Sequence, residues 1–271
     1  MRICSLLSVI AVGVCAQAAA AHELWLEPIE YQVPAGGQLQ SVIVNGETFD
    51  GTKLPYLPQR FVQFTVSVDG ATTDVPGRPG DTPAMTMAAP DEGLTVVAFQ
   101  STVATLTYTE WAKFLKFSAH KDFPDIEARH DARGLPREGF KEAYTRFSKS
   151  LIGVGDAAGQ DSRIGLETEL VALTNPYTDD LSGGMQVQLF YGDDVRANEQ
   201  VEVFDKAPSG EVEVTYVRTD ADGIATIPVT PGHAYQLDAV VLREPVAAVA
   251  EQTGAVWETL WANITFAVPA S

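Results

Sequence analysis

The chain has 271 residues, 45% of them hydrophobic, with 18 basic and 36 acidic side chains and a net charge of −18 with neutral histidines. So acidic a surface excludes nucleic acid and anionic lipid as partners, because both need basic patches. It favours solubility and draws cations over a distance.

Met1 and Arg2 form a short positive n-region, and Ile3 to Ala16 is an apolar run of signal-peptide length. Ala-x-Ala patterns follow, ending at Ala18, Ala20 or Ala21. Residues 1–21 are therefore expected to direct export to the periplasm and to be removed. The run is too short to span a membrane as a helix, and no other stretch is long and apolar enough, so no membrane insertion is expected after processing. Cys4 and Cys15 both fall in the removed segment, which leaves no disulfide, thiolate metal site or cysteine nucleophile. The mature chain keeps 17 basic and 36 acidic residues, net −19.

Cleavage after Ala21 makes His22 the new N-terminus, where the α-amine and the imidazole can chelate one metal ion. Cleavage after Ala19 puts the histidine third, which gives a square-planar nitrogen site for copper(II) or nickel(II). The plain alternative is that His22 opens the first strand.

Downstream, Leu24 to Ile29, Gln38 to Asn45, Phe61 to Val68, Ala84 to Ala88, Leu94 to Ser101 and Thr105 to Thr109 read as short strands with turn residues between them. That pattern argues a β-sandwich over 22–109. At Glu110 the period changes: Trp111, Phe114, Leu115 and Phe117 predict a helix near 110–121. Pro136 opens a second predicted helix to 151, with Phe140, Tyr144, Phe147 and Leu151 on one stripe. Gly153 to Gly165 reads as a linker, closing a helical insert over 110–165. Seven further strands over 166–271 match an immunoglobulin-like sandwich in size, and Thr219-Asp220-Ala221-Asp222-Gly223 reads as a hairpin turn. The expected fold is mainly β: two immunoglobulin-like β-sandwich domains with a helical insert between them.

Several motifs then meet in order along the chain. His22-Glu23-Leu24-Trp25-Leu26-Glu27-Pro28 resembles the mature start of proteins in the domain-of-unknown-function 4198 family. Val75 to Asp81 is similar to its central loop, and Tyr144-Thr145-Arg146-Phe147-Ser148-Lys149-Ser150-Leu151 to its Tyr-x-Arg-(Tyr/Phe)-(Ala/Ser)-Lys-x-Leu segment. Leu173 to Tyr177, Thr219 to Gly223 and Trp257 to Ala262 resemble its C-terminal markers. The resemblance implies a bacterial exported protein of a poorly characterised family whose members are often labelled nickel- or cobalt-uptake related. It implies a membrane metal-uptake permease as partner. Relatives often carry a histidine where this chain has Val241.

The chain has four histidines: His22, His120, His130 and His233. Imidazole with carboxylates or amines suits nickel, cobalt or copper, so these four and Glu23 are the candidate metal ligands, with His22 first. His120, Asp122, Asp125, Glu127, His130 and Asp131 form the densest cluster of such side chains, yet Pro124 interrupts it and a solvated charged connection explains it more simply. His233 follows Pro231-Gly232 and reads more simply as a turn histidine. Asp220 and Asp222 lack the partners of a calcium loop at Arg218 and Val229. Catalytic motifs are absent: no Gly-x-Ser-x-Gly, no His-Glu-x-x-His, no phosphate-binding glycine loop. The four tryptophans are better explained by core packing than by sugar stacking. Two functions remain: a non-enzymatic periplasmic protein that binds or delivers a divalent transition metal, or a non-catalytic envelope interaction module that binds none.

Overall fold

The computed structural model describes residues 22–270. The expected signal segment and its cleavage sites lie outside the described residues. In chain order the strands are β1 (Glu23–Pro28), β2 (Gln32–Val33), β3 (Gln38–Glu47), β4 (Asp50–Leu54), β5 (Phe61–Val68), β6 (Ala71–Asp74), β7 (Met85–Ala88), β8 (Gly93–Ser101) and β9 (Ala104–Tyr108). Helices α1 (Trp111–His120) and α2 (Ile126–Ala132) follow. Then come β10 (Phe140–Val154), β11 (Thr168–Ala172), β12 (Met185–Tyr191), β13 (Asp194–Val195), β14 (Gln200–Lys206), β15 (Val212–Arg218), β16 (Ile224–Ile227) and β17 (Ala234–Arg243). Helix α3 (Ala247–Thr253) and β18 (Trp257–Ala267) end the chain. The protein is mainly β, and none of its described helices is long and apolar enough to cross a membrane.

The strands form three open sheets. The largest runs β15-β14-β17-β18-β10-β8-β5-β6, with β2 and β9 also paired to β10. One smaller sheet holds β1, β3, β4 and β7, and the other holds β11, β12, β13 and β16. Alternation along each central strand sends side chains to both faces. Val97, Phe99, Ile152 and Val154 of the large sheet pack against Leu26, Leu39, Ile43 and Met85 of the β1 sheet. Leu94, Leu151, Val203, Leu237 and Ile264 pack against Leu170, Met185 and Val187 of the β11 sheet. The large sheet is thus the middle layer, buried on both faces.

The predicted helix over 136–151 is instead the fifteen-residue strand β10, which is the seam of the molecule. It lies parallel to β18, from Glu142 opposite Trp257 to Ser150 opposite Thr265, and antiparallel to β8 and β9. All but two of its residues are buried. In such a strand apolar residues occupy both faces, and a stripe at 3.6 spacing appears by coincidence. Because β10 and β18 join in one sheet, strands from both sequence halves share the middle layer, in place of two separate sandwiches. The helical insert shrinks to α1 and α2.

The expected linker is also structured. Asn175 donates from its side-chain amide to the carbonyls of Ala157 and Gly159, and Leu94 donates its N–H to Ala158. The Asp220 turn forms, with Asp220 Oδ1 accepting from the N–H groups of Asp222 and Ile224. Its flanking strands do not make a hairpin, however: β15 pairs with β14 and β16 with β12, so the turn carries the chain from one sheet to another. Trp25, Trp257 and Trp261 are core residues, as expected.

Candidate functional site

The site is built on the face of the middle sheet that β1 and α1 cover. In β14 and β17, Glu202 and Asp238 are register partners, and they point to the face opposite Val201, Val203, Leu237 and Ala239. The same cross-strand row continues through Asn263 of β18 to Ser148 of β10. Four neighbouring strands therefore place polar side chains in one buried line.

Two elements close over this row. The first, β1, is fixed to β3 and brings Glu23 inward. The second, α1, ends at His120, and Lys121 follows as its C-cap, where a cation meets the negative end of the helix dipole. Lys121 Nζ lies 3.0 Å from Glu23, 2.6 Å from Glu202 and 3.0 Å from Asp238, and all four side chains are at most 5% exposed. His120 Nε2 sits 2.7 Å from the other oxygen of Glu202, to which Tyr216 also donates. The Trp261 ring lies 4.8 Å from the Lys121 ammonium and 3.7 Å from the Arg146 guanidinium, so one indole meets two cations.

The electrostatics follow from three carboxylates sharing one ammonium. Burial pushes the Asp238 carboxyl up to about 6, with Glu23 and Glu202 adding to the rise and Lys121 opposing it. Glu202 moves the other way: burial would raise it, but the hydrogen bond from His120 and the charge of Lys121 hold it below its ordinary range. His120 is raised, chiefly by its hydrogen bond to Glu202. Lys121 is raised too, because the three carboxylates outweigh its burial.

Glu23, Glu202 and Asp238 each offer an oxygen within 4.8 Å of the others, a spacing that suits a cation. The ammonium of Lys121 already bonds all three and supplies the compensating charge. The donor set as folded fits a lysine, and a metal ion would have to displace it.

The sequence-predicted ligands are dispersed around this cluster. His22 stands at the head of β1, its imidazole 43% exposed, with Nε2 4.0 Å from a Glu47 oxygen. Its main-chain carbonyl accepts from Arg146 Nη2 at 2.5 Å, and its side chain lines a small pocket with Asn45, Glu142 and Tyr144. Glu23 is next in sequence but turns inward to Lys121. His120 contacts Glu202 at the cluster's edge. His130 is fully buried, with Nδ1 accepting from Trp257 Nε1 and Nε2 against the Pro136 carbonyl, so both ring nitrogens are engaged in the aromatic core. His233 bonds Asp205 through Nδ1 and stacks on Tyr235. Val241 packs with Phe147, Leu166 and Leu260 on the face away from Asp238.

Lys121, Arg146, Glu202 and Asp238 were not among the sequence-predicted residues. The signal for two of them was a lone acid inside an otherwise apolar strand, in Val-Glu-Val-Phe and Leu-Asp-Ala-Val. Buried acids of that kind need a partner.

A family model described as a domain of unknown function (DUF4198) matches residues 19–243. The chain belongs to that family. No curated protein matches it. Among solved structures, the chain is similar to the crystal structure of a tetra-tandem repeat in the extending region of a large adhesion protein, at 12% identity and a TM-score of 0.22. The match covers 91% of this chain and 49% of that one, so the chain spans about half the length of the solved structure.

Proposed function

We propose that this family member is an exported, non-enzymatic protein that binds a divalent transition metal (nickel, cobalt or copper) at its N-terminal edge, with His22 as principal ligand. The observation that carries the reading is the setting of His22: a half-exposed imidazole at the head of β1, beside the Glu47 carboxylate, on a strongly acidic chain. Cleavage directly before His22 adds the α-amine, which makes a two-nitrogen chelate. That chelate closes through Nδ1, so Glu47, which lies against Nε2, would orient the ring, and Glu23 is committed to Lys121. Lys121 and Arg146 hold β1 in place, the first through Glu23 and the second through the His22 carbonyl, so the edge is rigid before metal arrives. Release of the metal to a membrane uptake permease would follow from so open a site.

The test is nickel and copper titration of three forms: the chain beginning at His22, the same chain with one extra N-terminal residue that acylates the amine, and His22→Ala. The reading predicts one-to-one binding by the first, weakened binding by the second and background binding by the third. Because the ligand nitrogens must lose their protons, binding should also weaken as pH falls. Equal binding by all three forms would remove the site and leave the envelope interaction module in its place.

A further inference from the structure

Lys149 points from β10 into the layer shared with the β11 sheet, with Phe147 and Leu151 on the same face of its strand and Ile264 opposite it in β18. Its side chain is 1% exposed, and those of Asp161 and Glu169 beside it are 0% exposed. Nζ stands 2.7 Å from each of the two Asp161 oxygens, 3.1 Å from Glu169 Oε1 and 3.2 Å from the Ser162 carbonyl. Equal distances to both oxygens set Nζ opposite the carboxyl carbon rather than beside a single oxygen.

The main chain holds both carboxylates. Ser162 donates its N–H to Asp161 Oδ1 and Ala172 donates its N–H to Oδ2, both at 2.9 Å. Both oxygens of Glu169 accept from the Ile164 N–H. Main-chain donors fixed on a carboxyl oxygen are the arrangement that stabilises the oxyanion of acyl transfer. The Lys121 cluster differs on this point. Its carboxylates, Glu23, Glu202 and Asp238, accept no main-chain N–H among the described residues, and Lys121 bonds each through one oxygen.

We infer that Lys149 and Asp161 condense into an amide, an internal cross-link from β10 to the loop that follows it, with Glu169 as the proton carrier. Away from water an ion pair loses its hydration, which brings the neutral amine and carboxylic acid within reach. The proton between Nζ and Asp161 passes to the carboxylate and leaves a neutral amine whose lone pair faces Cγ. Attack forms the Nζ–Cγ bond. Glu169 takes a second proton from Nζ and delivers it to the Asp161 hydroxyl, which leaves as water as its bond to Cγ breaks. The Ser162 carbonyl keeps the last N–H. One ammonium and one carboxylate become one amide and one water, with no oxidant and no cofactor. Fixed contact between amine and acid supplies the proximity, and a dry site protects the product from hydrolysis. The cross-link rests on no part of the metal reading.

The test is tryptic digestion of the purified full chain, read by mass spectrometry. Cleavage after Arg146, Lys149 and Arg163 gives ordinary peptides 147–149 and 150–163. An amide on Lys149 blocks the middle cut. The wild type should therefore yield one peptide, 147–163, lighter than its sequence by one water, about 18 Da. That peptide should give no backbone fragments from within the closed loop between residues 149 and 161. Glu169→Gln and Asp161→Ala, shown to be folded by circular dichroism, should be cut at Lys149 like any other lysine. If neither variant folds, the wild-type peptide decides alone. Two ordinary peptides at full mass from folded wild type, after prolonged incubation, would overturn the inference. So would a link from Lys149 to Glu169, which lies in a different tryptic peptide, or a folded Glu169→Gln linked as fully as the wild type.

Discussion

At the scale of single residues, two buried lysines organise the charge of this protein. Lys121 serves Glu23, Glu202 and Asp238, and Lys149 of β10 serves Asp161 and Glu169, with Lys149 Nζ 2.7 and 3.1 Å from them. Removing one partner of a buried ionic cluster costs about 3–5 kcal/mol, since the remaining charges stay desolvated. Lys121→Met should lose stability on that scale at pH 8, read as the urea midpoint. The pH dependence has a definite sign. Asp238 is raised from an ordinary 3.8 to about 6, so its contribution is fully present below pH 3.8 and is lost as pH rises through about 6. His120 is raised as well, so its contribution is present below its ordinary 6.5 and is lost as pH climbs through its folded value. Glu202 is depressed, so its contribution is present above its ordinary 4.5 and disappears as pH falls through its folded value. From about pH 5 to 8 the first two act together, and the cluster should stabilise the fold less as pH rises. Without the Lys121 ammonium, which holds the Asp238 carboxyl down, the buried carboxylates are more readily neutralised by protonation at pH 5 than at pH 8. Lys121→Met should therefore be less damaging at pH 5, and Asp238→Asn should flatten the wild-type slope between the two. A Lys121→Met penalty that is the same at both values would contradict this assignment of protons.

At the scale of elements, the loop after β10 shows how a sequence read as a linker becomes part of the core. Glycines and polar residues over 153–165 suggest a solvated connection, but Asn175 reaches back from after β11 to hold two of its carbonyls. Asn175→Ala should cost about 1–3 kcal/mol, the range for leaving buried polar groups unsatisfied. Amide hydrogen exchange should accelerate around residues 157–159 ahead of the rest of the chain; unchanged exchange there would show that Asn175 does not hold the loop. Much of the strand pattern was legible in the sequence, because β12 alternates as a half-buried strand does and β5 and β8 are short runs bounded by turn residues. Helix α1 was legible from its aromatic spacing. Strand β10 was not, because a strand buried on both faces has no period of its own and its partners β18 and β8 are distant in sequence. The site fared likewise: His22 and Glu23 were visible by position, but Lys121 meets Glu202 and Asp238 only through a fold that brings together residues 81 and 117 apart.

At the scale of the whole molecule, the middle sheet draws strands from both ends of the chain, and the β1 sheet packs on both: Leu26 and Ile43 against Phe64 and Ile152, Trp25 and Val44 against Phe204. Neither half can bury its face without the other. Unfolding should accordingly be one cooperative transition, with tryptophan fluorescence and far-ultraviolet dichroism superimposing across a urea series. Two separated transitions, or a stable folded fragment covering 22–165 alone, would contradict a shared sheet.

The same architecture fixes the head of β1 through Glu23 and the His22 carbonyl, and so presents His22 at a fixed place on an acidic exterior. Electron paramagnetic resonance of one equivalent of copper(II) on the chain beginning at His22 addresses that placement most directly. The account predicts nitrogen hyperfine structure from the imidazole and the terminal amine, with loss of the amine contribution when the terminus is acylated and loss of the imidazole contribution in His22→Ala. A spectrum without nitrogen coupling, or one unchanged in His22→Ala, would contradict it.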